Sequence, residues 1–132
     1  MDGRPSYLTM TENNHTMRFL SLAKAREGGA PPTQEAMDRV GKLIEEGFKA
    51  GWLLSAEGLL PSEFGFRVHS TGGNVSVTDG PFTESKEIVD GISIFTAASK
   101  EEAIALTKKF AEAVGGGDAV TEVRQLYDMP EG

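Results

Sequence analysis

Two segments of this chain are apolar at both alternating sets of positions, and a strand of that kind must be covered on two sides. The first is Met17-Arg18-Phe19-Leu20-Ser21-Leu22-Ala23, and the second runs from Ile88 to Ala97, with Ile92 and Ile94 on one parity and Val89 and Phe95 on the other. Only two amphipathic helices are available as cover. Thr33 caps the first, Gln34 to Ala50, whose apolar stripe is Met37, Val40, Leu43, Ile44 and Phe48 before Gly51 ends it. Ser99-Lys100-Glu101-Glu102 has capping-box form and opens the second. Its stripe is Ala103, Ile104, Thr107, Phe110, Ala111 and Val114, and Gly115 to Gly117 terminate it.

Two further strands are expected over Trp52–Leu60 and Ala119–Tyr127. A hairpin is expected from Phe64–Ser70 and Val75–Thr78 around Gly72 and Gly73, because a Gly-Gly pair supplies the positive φ angles of a two-residue turn. That turn sets the register: Val68 opposes Val77, and Phe66 opposes Asp79. The order β-α-β, hairpin, β-α-β defines an α+β fold with two helices on one face of an antiparallel sheet. The other face, apolar in two strands, then needs a two-fold partner packed sheet to sheet.

At 132 residues, 39% hydrophobic and 25% charged, the chain is one globular domain. Residues 1–16 are a polar N-terminal extension, 17–127 the domain and 128–132 a tail. There is no cysteine, which excludes disulfides and thiolate chemistry. With two histidines and no suggestive carboxylate spacing, neither a metal nor a cofactor is expected. The net charge of −7 comes with scattered lysines and arginines, which argues against nucleic acid as a partner. No apolar run approaches the about 18 residues of a membrane span, so a cytoplasmic protein is expected.

The runs Ala56-Glu57-Gly58-Leu59 and Val75-Ser76-Val77-Thr78-Asp79-Gly80-Pro81-Phe82-Thr83-Glu84-Ser85-Lys86-Glu87, then Gly91, then Glu122-Val123-Arg124, together resemble the DGPF branch of the YCII-related family over roughly residues 17 to 127. The resemblance implies a bacterial protein with a ferredoxin-like fold, paired as a dimeric α/β barrel. It also implies association of some members with extracytoplasmic-function sigma factors, and acid–base chemistry in YCII relatives through a His–Asp pair. Here the first helix opens Pro31-Pro32-Thr33-Gln34-Glu35 with no histidine, and Leu20-Ser21-Leu22-Ala23 stands where the first strand usually carries an aromatic residue.

Asp79, on the apolar side of the hairpin at its end, reads either as a pocket acid or base or as a turn aspartate accepting backbone N–H groups near Gly80 and Phe82. His69 lies with Arg67 on the opposite, polar face and reads as a surface histidine. Glu57 is a candidate general base or an ion-pair partner of Arg124. Arg124, on the parity opposite Val123, is a candidate anion binder or one half of a structural pair with Glu57 or Asp79. Phe82 and Lys86, around the turn, are candidate ligand contacts, with a solvated charged face as the alternative for Lys86 and Glu87.

Two functions follow from different classes. One is a homodimeric module that binds a small anionic ligand or assists a transcription factor. The other is a small-molecule enzyme of isomerase or lyase type, with Asp79 or Glu57 as base and Arg124 holding the anion.

Overall fold

The structure, a computed structural model, describes residues 16–26, 29–82, 87–115 and 119–128. Strand β1 (Met17–Ala25) leads to helix α1 (Gln34–Ala50) and strand β2 (Leu53–Gly58). A single 3-10 turn (Ser62–Phe64) precedes the hairpin β3 (Phe66–Thr71) and β4 (Asn74–Asp79). Strand β5 (Ile88–Ala97), helix α2 (Lys100–Val114) and strand β6 (Val120–Gln125) complete the chain. The main sheet is antiparallel in the order β2-β5-β1-β6, and β3-β4 form a separate two-stranded ribbon. This is the ferredoxin-like α+β arrangement expected from the element order, with the ribbon inserted between two sheet strands.

Both helix starts follow the sequence. The Thr33 hydroxyl accepts the Ala36 N–H at 3.1 Å, and the Ser99 hydroxyl accepts the Glu102 N–H at 3.1 Å, each satisfying a donor that has no partner within the helix. Gly72 and Gly73 take φ values of 57° and 86°, which closes the two-residue turn and fixes the expected register, Val68 opposite Val77 and Phe66 opposite Asp79.

The helices cover one face of the sheet. There the Phe19 and Phe95 rings stack at 5.5 Å between the two central strands, and Leu53, Ala97 and Ala103 join them in the core. The apolar stripes are rotated from those expected. In α1 the buried residues are Ala36 and Gly47, while Met37 and Phe48 flank the contact and stay exposed. In α2, Ala103 and Ala113 are buried, Leu106 packs on the core, and Phe110 meets Trp52 edge-on at 6.1 Å, whereas Ile104 and Val114 face water. The physical reason is close approach. A Cβ on Gly47 would lie 2.8 Å from Leu53 Cβ and 3.0 Å from the Trp52 ring, so helix α1 reaches β2 only through a position without a side chain. Strand β2 is also shorter than expected, with an irregularity between Leu53 and Ser55 that leaves Leu54 exposed.

The opposite face carries Leu20 and Leu22 from β1 beside Ile94 and Ile92 from β5. Among the described residues no helix lies over it, and none is long and apolar enough to cross a membrane.

Gly47→Ala and Gly41→Ala should therefore act in opposite directions. The first inserts a methyl into occupied space and should destabilise by about 1–3 kcal/mol. The second meets nothing within 4 Å, and helix propensity should stabilise it by about 0.4–1 kcal/mol. Urea denaturation of both variants checks the pair.

Candidate functional site

The turn Asp79-Gly80-Pro81-Phe82 closes the ribbon against the 3-10 turn. The Gly80 N–H donates to the Gly65 carbonyl at 2.9 Å, the Phe82 N–H donates to the Ser62 hydroxyl at 3.1 Å, and the Gly80–Pro81 peptide is cis. A Cβ on Gly80 would overlap the Ser62 carbonyl oxygen, so only glycine lets the two turns touch.

This junction holds Phe82 beneath the ribbon. The Arg67 guanidinium lies over the Phe82 ring, its central carbon 3.8 Å from the centroid, a cation–π contact worth about 0.5–1 kcal/mol at a site in contact with water. Beside the pair lies a surface cavity of about 320 Å³, half open to solvent. Leu60, Ile88 and Val89 form an apolar wall, and Ser62, Arg67 and Glu87 supply the polar groups.

The other candidates from the sequence stand elsewhere. Asp79 is exposed at the end of β4 opposite Phe66, on the face of the ribbon away from Arg67. His69 is exposed on the Arg67 face opposite Ser76. Glu57 and Arg124 both belong to the open face of the sheet but at its two edges. Glu57 aligns with Ile92 on β5, and Arg124 aligns with Leu20 on β1. Three strand spacings, roughly 14 Å, separate the β2 and β6 edges. The two side chains therefore form no ion pair within one chain, and Asp79, Glu57 and Arg124 do not converge. Lys86 lies outside the described residues. Among the described residues no group of three or more His, Asp or Glu is placed to hold a metal.

Sequence reasoning placed Arg67 on the polar face of the ribbon and gave it no role. The signal was its position, since it opposes Thr78 and is the polar-face cation nearest the turn that carries Phe82.

Lys24 and Glu122 form an ion pair on the open face. Lys24 Nζ donates to Glu122 Oε1 at 2.8 Å across the β1–β6 pair. That hydrogen bond, then the lysine charge, hold the Glu122 carboxyl below its ordinary value, with Arg124 adding to the effect. The same bond and charge hold the Lys24 ammonium above its own ordinary value. Arg18 anchors the end of the chain in a similar way, bonding the Asp128 carboxylate at 3.1 Å and the Tyr127 carbonyl at 2.9 Å.

The fold is a ferredoxin-like domain with an inserted ribbon, whose closing turn lines a cavity open to solvent. The model of the YCII-related domain matches residues 17–127, and the chain belongs to the YCII-related family. Comparison with curated proteins gives no match.

Two measurements test this description. Gly80→Ala should separate the turns and lower stability by about 1–3 kcal/mol, with loss of the Phe82 contribution to the near-ultraviolet spectrum. Glu122→Gln should lower the melting temperature near neutral pH. A depressed carboxyl stabilises above its unfolded value and loses that contribution as pH falls through the folded value, so the gap to wild type should close below the ordinary value of 4.5. The raised lysine acts in the opposite sense, and its contribution should fade as pH rises past 10.5. A melting series across pH reads both limbs.

Proposed function

We propose that this chain is a dimeric small-ligand-binding module of the DGPF branch, and that its ligand occupies the cavity beside Phe82. The observation that carries the reading is the Arg67–Phe82 stack at the wall of that cavity. The Arg67 guanidinium gives the cavity wall a positive charge, which favours a ligand that carries a carboxylate. Glu87 on the same wall favours a ligand that also offers a donor, and Leu60, Ile88 and Val89 favour an apolar body. The ligand class is thus a small hydroxy- or amino-carboxylate with a hydrocarbon portion.

The catalytic alternative needs a base and an anion binder around one substrate. Asp79, Glu57 and Arg124 do not meet within one chain, so the binding reading is favoured.

The dimer part of the proposal rests on the open sheet face. Leu20, Leu22, Ile92 and Ile94 form its centre, with Glu57 at the β2 edge and Arg124 beside the Lys24–Glu122 pair at the β6 edge. A two-fold axis running along the strands sets each β2 edge against a β6 edge and lays the apolar centre of one sheet over that of the other.

A thermal-shift panel of small hydroxy- and amino-carboxylates tests the ligand. At a concentration 100 times its dissociation constant a ligand stabilises by about 2.7 kcal/mol, a shift of several degrees for a domain of this size. Arg67→Met and Phe82→Leu should each remove most of the shift. Equal shifts in wild type and both variants, or none across the panel, would refute the site.

A further inference from the structure

The β1–β5 pair contains an irregularity that re-aims side chains at the cavity. Ala23 faces Gly91 across the pair and Lys24 faces Val89, so Asp90 is the extra residue of a bulge in β5. A bulge of this kind shifts the alternation of the strand that carries it. Residues paired across strands share a face, and Lys24 lies with Leu22 on the open face of the sheet. Val89 is therefore brought to that face, and so is Glu87, two residues before it. Both line the cavity beside Phe82. The bulge thus turns this part of the cavity wall toward Lys24 of the neighbouring strand.

Lys24 and Glu87 are diagonal neighbours across the pair. Diagonal Cα atoms lie roughly 7–8 Å apart, within reach of two long side chains. On its other side Lys24 bonds Glu122 Oε1 at 2.8 Å, which occupies one of the three N–H donors of an ammonium. The bond to Glu122 and the charge of that carboxylate raise the Lys24 ammonium above its ordinary value, and the charge of Glu87 adds to the rise. One cation thus serves two carboxylates, and one of these is on the cavity wall.

On the ligand reading above, Glu87 accepts a hydrogen bond from the ligand, and the donor is a hydroxyl or an ammonium group. Beside a lysine the two are not equivalent. A hydroxyl donates without adding charge. An ammonium sets a second cation against a carboxylate that Lys24 already balances, and the two cations repel. Arg67, which holds the ligand carboxylate from the same wall, adds to that repulsion.

We propose that Lys24 is a specificity-determining residue of the cavity: it reserves Glu87 for a neutral donor, so that the site takes small aliphatic hydroxy-carboxylates over the amino acids of the same skeleton. The proposal rests on the ligand reading above and narrows it. Leu60, Ile88 and Val89 suit the aliphatic portion. Lys24 is outside the cavity lining and acts through Glu87, as a positioning charge behind the wall.

Titration calorimetry of the full chain with leucine and with its hydroxy analogue tests the assignment, because the two acids differ only in the group beside the carboxylate. The wild type should bind the hydroxy acid more tightly. Lys24→Met should cut that preference by at least about threefold, the order expected for one unit charge at this separation in a site open to solvent. Lys24→Arg keeps the charge and should keep the preference. Glu122→Gln removes the carboxylate that competes for Lys24 and should increase it. A purely structural role would lower both affinities together and leave their ratio unchanged. Should Lys24→Met fail to fold by circular dichroism, Lys24→Gln reads the same ratio. A wild type that prefers leucine, or a ratio unmoved by loss of the Lys24 charge, would overturn the assignment and leave the cavity site standing. Binding of neither acid would overturn the ligand reading and the assignment together.

Discussion

The stacked pair Phe19 and Phe95 sits where the two middle strands of the sheet cross its centre, and every other element is placed by reference to it. The rings lie 5.5 Å apart and close to parallel, adding about 0.5–1.5 kcal/mol to what their burial alone provides. Strands β1 and β5 pair along their whole lengths around this contact, and β2 and β6 add to the outer side of each. Leu53 and Ala97 extend the cluster within the sheet, and Ala103 brings helix α2 onto it.

The core built on that contact is thin. Apart from Phe19, Leu53 and Phe95, the buried apolar residues are alanines, and no large side chain among the described residues is completely enclosed. Small residues allow the helices to lie close to the sheet, as at Gly47 against Leu53 and Trp52. Close approach shortens the distance between layers but buries little volume per residue, so much of the apolar content remains outside the core. It lies on the open sheet face and on the outward side of the ribbon.

Local chemistry was legible in the sequence wherever a short segment decided the outcome. Thr33 and Ser99 cap their helices through their own hydroxyls, and Gly72 with Gly73 fixes the ribbon register down to Phe66 opposite Asp79. The facing of the helices was less legible, because hydrophobicity favours Met37 and Phe48 as core residues while packing distance favours Ala36 and Gly47. The site was legible only in part. Alternation set Arg124 on the parity opposite Val123, but it carries no information on strand order, and the order β2-β5-β1-β6 sends Glu57 and Arg124 to opposite edges of the sheet. The stack of Arg67 on Phe82 joins the ribbon to the turn beyond it, a meeting set by how the ribbon is mounted and by no periodicity.

The two border strands of the main sheet bear on how the chain avoids uncontrolled growth. An unpaired strand edge is a template on which further chains can add. Here β2 is interrupted by an irregularity after Leu53, and β6 is six residues long with Glu122 and Arg124 within it. Both features are ways in which natural sheets resist lateral extension. With its margins blunted, the sheet presents no long regular edge to an approaching strand, and growth strand by strand into open-ended fibres is disfavoured.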